Sequence, residues 1–363
     1  MEQKNNAKGF SLKSVGHAIG QYSYIVVFLI ILAGYALTIG MNGNTFNFRH
    51  IANILGSQQT VIIGTIALGM AFVIITGQID LSVGSSLVLT TGACILVFNV
   101  TNSIFLMVVA ALVVGALCGL INGLLVGLCK MPPFVVTLGT MLIYRSLTLS
   151  VVREIDPAIT GSSSSQFAML SSNSSYELAR MKFGAGKLKL GGNFSIPWIF
   201  FVFLAMAILF IVISRNTKYG KSIYAVGSNE KSARLAGINV TWVKISVFVL
   251  TGVCVGVASV LQACKISNVT PASSGQSYEM YAIASVVLAG VNMAGGRGNL
   301  LGVIFGAMSY ATINFIITSV GLSVDLQNAF QGLVLILVIL VQTVGPTIKE
   351  SFRAARRKRS VKA

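Results

Sequence analysis

Apolar runs recur along the whole chain, each close to the roughly 20 residues that cross a hydrocarbon core. They lie near 22–40, 53–75, 81–99, 104–128, 134–152, 196–214, 244–263, 279–292, 299–320 and 328–345. This pattern predicts an all-α polytopic membrane protein with about ten transmembrane helices, because lipid tolerates only a backbone that satisfies its own hydrogen bonds. The run at 279–292 is short and is expected to be an incomplete crossing. The first run, Tyr24 to Ile39, is followed by no small-residue cleavage site and reads as a retained span. Between the fifth and sixth runs lies a serine-rich segment, 153–195, expected to be an external cap or loop.

Polar residues that interrupt this pattern are the candidates for function. Thr76-Gly77-Gln78-Ile79-Asp80-Leu81-Ser82-Val83-Gly84-Ser85 puts a carboxylate and two glycines into a lipid-compatible stretch. Non-helical backbone and charge survive there only beside protein or a water-filled cavity, so a break in the helix is expected at this point. Asp80 and Ser82 fit either a cap on the next helix, meeting the positive end of its dipole, or contact with a solute. Asn122, Arg145, Tyr278, Glu279 and Asn314 are further polar groups in apolar settings. Asp80, Ser82, Asn122, Tyr278 and Glu279 form the candidate translocation pathway.

A second feature is the stretch from Tyr224 to Val240, which reads as a short, well-bounded helix between two spans. Asn229 is a good N-cap, Glu230 suits the positive end, Glu230 and Arg234 are four apart in the favourable order, and Gly237 stops the helix. About two turns are marginal alone in water, so Asn229, Glu230, Arg234, Leu235 and Gly237 are expected to serve docking. A third, Gly295-Gly296-Arg297-Gly298, suits a tight hairpin between spans better than an anion cradle. With Gly77 and Gly84 these residues are the candidate structural turns. Met131-Pro132-Pro133-Phe134 is punctuation, since proline cannot continue the helical ladder.

Composition sharpens the class. Hydrophobic residues make up 55% and charged residues 10%, against about 25% charged in soluble domains. The net charge of +17 is gathered at span ends: Lys4, Lys8 and Lys13 precede the first, and Lys349, Arg353, Arg356, Arg357, Lys358 and Arg359 follow the last. That placement argues for a membrane surface and against nucleic acid, and it makes both termini cytoplasmic. The expected division is a cytoplasmic tail at 1–21, a transmembrane domain at 22–345 and a basic cytoplasmic tail at 346–363. Within the domain, 153–195 is external and 215–243 is a cytoplasmic coupling loop.

The five cysteines lack paired spacing and the two histidines are isolated, so neither a disulfide framework nor a metal site is indicated. Gly220-Lys221-Ser222 mimics the end of a phosphate loop, but Arg215 stands where the loop's first glycine belongs. No serine-histidine-carboxylate set is present, so the chain reads as a transport subunit without its own ATPase site or cofactor.

These residues resemble the permease subunits of bacterial ATP-binding-cassette importers for ribose and related monosaccharides. Thr76 to Ser85 is similar to that family's Thr-Gly-Gly-Ile-Asp-Leu-Ser-Val-Gly-Ser signature, and Pro132 to Thr140 resembles its central motif. Gly227 to Val240 resembles its Gly-Gly-Asn-x-x-Ala-Ala-Arg-Leu-Ser-Gly-Ile-Asn-Val pattern, and Tyr278-Glu279 with Gly295 to Gly298 the later one. The resemblance covers about 50–345. It implies a type II permease fold, like that of the vitamin B12 importer, in the bacterial inner membrane. It also implies a pair of membrane subunits above two ATPase subunits that bind ATP, and an extracytoplasmic sugar-binding protein that delivers substrate. Two departures bear on the mouth: Asp325-Leu326-Gln327 replaces a more aromatic pattern, and 153–195 is long. Gln78 also replaces a usual glycine. A non-sugar polyol, a nucleoside or a signalling furanose fits the same residues, and an ion-coupled carrier is the rival of another class.

Overall fold

The computed structural model describes residues 23–162, 165–190 and 195–321, with scattered positions between 326 and 340. Both charged tails, Asp325 and most of the run at 328–345 lie outside the described residues. α1, Ser23–Met41, is followed by α2, Phe48–Leu55, which opens with a capping box: Asn47 accepts from Arg49 N at 3.1 Å and His50 Nδ1 from Asn47 N at 3.2 Å. A π-helical turn, Gln59–Ile63, then runs into α3, Gly64–Ile75. α2 and the continuous helix from Gln59 to Ile75 meet at 44°, a kink with an identifiable cause in Gly56 and the π-turn.

α4, Val83–Thr101, α5, Ile104–Gly127, and α6, Pro133–Glu154, follow as full spans. The serine-rich segment is a folded cap. It holds a one-turn helix α7, Pro157–Thr160, strand β1, Phe167–Ala168, a π-helix, Glu177–Gly184, and strands β2, Lys187–Lys189, and β3, Ser195–Pro197, which pair antiparallel. Asn99 near the end of α4 pins it, donating to the Ile159 and Ala168 carbonyls at 2.8 Å each and accepting from Leu170 N at 2.9 Å.

α8, Trp198–Asn216, returns through the membrane to α9, Lys218–Ser228, and α10, Glu230–Leu235, on the opposite face. α11, Val240–Ile266, crosses again and ends at β4, Asn268–Val269, which pairs with β1. α12, Tyr278–Leu288, has 11 residues, about 16 Å of helix against a core of about 30 Å, so it does not cross. α13, Leu300–Ser319, is the last span in the described region. Among the described residues seven helices are long and apolar enough to cross, and the bent pair makes eight.

α3 is the axis: every residue from Gly64 to Ile75 is buried. A helix that is apolar all round must be shielded from water by protein or lipid, and here protein does it. α3 lets its neighbours approach through its own glycines, Gly69 against Thr251 of α11 and Gly64 against Phe203 of α8, and α5 and α11 meet in the same way. Gly115 and Gly119 of α5 lie against the Gly252 and Phe248 carbonyls of α11, and Gly256 answers against Ala111. Lipid adds no hydrophobic drive between helices, so this close contact is what binds α5 to α11. The outer side of α5 shows Val113, Leu117 and Ile121 to the bilayer.

Candidate translocation and coupling site

α3 ends because Gly77 takes φ +77°, which lets Gln78 N reach the Val73 carbonyl at 3.0 Å and Gly77 N that of Ile74 at 2.9 Å. The chain then runs without helix until α4 begins at Val83. Within this break Asp80 is 3% exposed, and its Oδ1 accepts from Ser82 N at 2.9 Å and from Ser82 Oγ at 2.7 Å. Ser82 Oγ in turn accepts from Asn122 Nδ2 at 2.8 Å. The carboxylate therefore caps the amide of Ser82 itself, and Ser82 makes no side-chain cap to α4. A buried carboxyl requires such partners, and Ser82 supplies two donors to this one.

Gly84 is the second residue of α4, where a Cβ would meet the Gly275 carbonyl and come 2.7 Å from Glu279 Oε2. This close approach brings Glu279 to the same corner, and both Arg145 and Asp80 act on it electrostatically. Arg145, mid-way along α6, donates from Nη1 to the Pro271 carbonyl at 2.7 Å and the Ser274 carbonyl at 2.6 Å. It thereby holds the loop that leads into the half-length helix α12. Tyr278 turns away: its hydroxyl accepts from Gln58 Nε2, which also reaches Gln262 Oε1 at 3.4 Å. Asp80, Ser82, Asn122 and Glu279 thus gather at one corner, and Tyr278 belongs to a separate amide cluster. Asn314 lies elsewhere, accepting from Gln331 Nε2 at 2.7 Å.

Four buried polar atoms in the break and beside it, Gln78 Nε2 and Oε1, Ser85 Oγ and Asn122 Oδ1, have no hydrogen-bond partner among the described residues. Each such group costs about 1–3 kcal/mol when left unmet. Uncharged amides and hydroxyls of this kind suit water or a hydroxyl-rich solute. Among the described residues no group of three or more His, Cys, Asp or Glu side chains is arranged to hold a metal ion.

The candidate coupling residues form a corner on the other side of the break. α9 is capped by Thr217, which accepts from Gly220 N at 3.0 Å, so helix extends through Tyr224 to Ser228 before the chain turns at Asn229. The short helix expected between an Asn229 cap and a Gly237 stop is α10, and α9 before it is a second helix meeting it at a corner, because Asn229 is extended and caps α10 by accepting from Ser232 N at 2.9 Å. Glu230 bonds Lys244 of α11 at 2.8 Å and Arg234 at 3.4 Å. The Lys244 ammonium holds its carboxyl below the ordinary range. Gly237 stops the turn at φ +81°. Leu235, at the tip, is 90% exposed. A cavity of 270 Å³ separates this corner from the turn after α5, with Lys130, Met131 and Pro132 on one wall and Glu230 and Arg234 on the other.

The corner touches the break directly. Gly227 abuts the Ile75 carbonyl, which also accepts from Gly296 N at 2.8 Å. Gly295 and Gly296 take φ +85° and +71°, and Asn292 N bonds the Arg297 carbonyl at 3.0 Å, closing the hairpin. Tyr224 OH locks it from α9 by donating to the Gly298 carbonyl at 3.1 Å. The Arg297 side chain itself is exposed. Gln58, Gln262 and Asn99 escaped notice in the sequence: each lies in or beside an apolar run, and nothing local shows what it will face.

Residues 51–339 match the family model described as "Branched-chain amino acid transport system / permease component". The chain belongs to this permease family. Among its relatives, a ribose import permease protein of Haemophilus influenzae is 33% identical over 339 residues, covering 93% of this chain and 95% of the relative. A ribose import permease protein of Bacillus subtilis is 34% identical, covering 94% and 96%. A xylose transport system permease protein of Haemophilus influenzae is 30% identical, covering 92% and 98%. No solved structure matches the chain.

Proposed function

We propose that this permease is the membrane subunit of an ATP-driven importer for a monosaccharide or a closely related polyol. The observation that carries the reading is Leu235, 90% exposed at the tip of a helix that is capped, ion-paired and joined at a corner to α9, whose Gly227 abuts the end of the central helix. A large apolar side chain held out on a rigid two-turn mount is built for a partner's groove. A cytoplasmic ATPase subunit that binds ATP supplies that groove, and an extracytoplasmic binding protein brings the sugar to the cap face. Both termini then lie in the cytoplasm of a bacterial inner-membrane protein, about ten helices cross in the manner of the vitamin B12 importer, and two copies pair. The chain has no ATPase site or cofactor of its own.

In this mechanism ATPase closure displaces α10. The displacement passes through Gly227, Ile75 and Gly296 to Gly77, three residues before Asp80 and its corner with Ser82, Asn122 and Glu279. Polar atoms there meet sugar hydroxyls transiently, and selectivity rests with the binding protein. A solute that binds both states equally shifts neither, so full switching needs about 5.5 kcal/mol of differential coupling from ATP. The relatives named for ribose and xylose support a sugar as cargo. The test is reconstitution in proteoliposomes with the ATPase and binding protein of the same system: uptake should require ATP and all three components. Uphill accumulation by the permease alone under a proton or sodium gradient would instead identify a secondary carrier.

A further inference from the structure

We infer that the cap face holds an anionic phospholipid, its phosphate in a basic pocket and one acyl chain in the apolar cleft next to it. The π-helix Glu177–Gly184 and the last turn of α11 divide two cavities. One, of 670 Å³, is lined by Arg180, Lys187 and Lys265 with the amides Gln58 and Gln59. The other, of 460 Å³, is lined wholly by apolar groups and cysteine, with Ile104, Val108 and Leu112 of α5 along one wall.

Residues adjacent in the chain alternate between the two. Ala179 lines the cleft and Arg180 the pocket; Phe183 the cleft and Gly184 the pocket; Cys264 the cleft and Lys265 the pocket. A ligand that occupies both spaces, reaching round this helical wall, is amphiphilic. The cleft also has the depth for a chain, since Ile104 opens α5 and Leu112 lies eight residues further in, about 12 Å below it. Leu178 and Met181, both exposed, continue the apolar surface on the π-helix.

The charge identifies the head group. Lys265 has a structural partner, the Gly56 carbonyl that ends α2. Arg180 and Lys187 are near enough to Lys265 to repel it, and among the described residues no carboxylate pairs with either, Glu177 being taken by Lys182. Like charges gathered without a counter-ion at a span's end favour a phosphate from the membrane, where each basic residue adds measurably to binding. A zwitterionic lipid would neutralise this cluster less well.

Native mass spectrometry of the full chain released from nanodiscs of phosphatidylcholine with a minority of phosphatidylglycerol tests this, independently of any transport assay. Wild type should retain phosphatidylglycerol selectively. The Arg180→Gln, Lys187→Gln double variant should retain it about thirtyfold less, with phosphatidylcholine adducts unchanged. The Arg180→Lys, Lys187→Arg variant should restore it, and Val108→Trp, which fills the cleft, should lower it with the charges intact. Equal retention of the two lipids by wild type overturns the inference, whether or not the variants fold. Loss on addition of inorganic phosphate, with Val108→Trp without effect, also overturns it by revealing a free-anion site.

Discussion

Truncating Leu235 to alanine separates docking from folding. The side chain is 90% exposed, so its removal opens no cavity and breaks no internal contact. Leucine and alanine are both good helix formers, so α10 itself is little changed. What is lost is the burial gained when the tip enters a partner. Three carbons at about 0.8 kcal/mol each give roughly 2 kcal/mol per corner, or about thirtyfold in affinity. The assay is titration of the ATPase subunit onto the permease in nanodiscs, with thermal unfolding of the permease alone as control. The expected result is weaker ATPase binding, reduced ATP-dependent uptake and an unfolding midpoint within about 1 °C of wild type. Undiminished ATPase affinity would refute the assignment of the corner, and a lowered midpoint would show that Leu235 packs within its own chain.

Four further outcomes follow from the geometry. Gly69→Ala puts a Cβ 2.7 Å from Thr251 Cα, 0.7 Å inside the 3.4 Å of ordinary contact (3.4 − 2.7 = 0.7); since backbone must move, we expect a loss of about 1–3 kcal/mol, seen as a lower melting temperature in detergent. Arg145→Ala removes two charge-assisted bonds to the Pro271 and Ser274 carbonyls, each worth about 1.5–3 kcal/mol; hydrogen exchange in 270–277 should rise and uptake fall, and Arg145→Lys should recover part of both. Glu230→Arg should leave the permease folded but uncouple ATP hydrolysis from uptake, and unchanged uptake would remove Glu230 from the coupling path. Because the Glu230 carboxyl is held below its unfolded value of 4.5, its contribution is complete above that pH and disappears as pH falls through the lower folded value. Limited proteolysis at the corner should accordingly accelerate only on the acid side of 4.5 in wild type, and show no such step in Glu230→Gln.

Much of the coupling corner is local and was therefore readable. Asn229, Glu230, Arg234 and Gly237 interact within four residues of one another or with their own backbone, and the distances they make follow from helix geometry. The bond from Glu230 to Lys244 spans 14 residues and appears only once α11 stands beside α10. The candidate pathway divides the same way. Asp80 and Ser82 are two apart and their contact is implicit in the sequence, whereas Asn122 is 40 residues away. Tyr278 and Glu279 are neighbours in the chain yet serve different clusters, because consecutive helical residues point about 100° apart.

By itself, the sequence determined that the chain lives in a membrane, roughly where most of its spans run, and that helix breaks off near Gly77, although not the bend at Gly56 inside the run at 53–75. Those features follow from single-chain physics: the transfer of apolar segments into lipid, the backbone's need to bond internally, and the freedom of glycine at positive φ. Only the tertiary structure decided which helix is central, that Tyr278 and Glu279 join different clusters, and that Ile75, Gly227 and Gly296 meet at one point. Apolar spans look alike in a lipid-like core, so their partners are chosen by shape, through small residues whose match lies a hundred or more positions away.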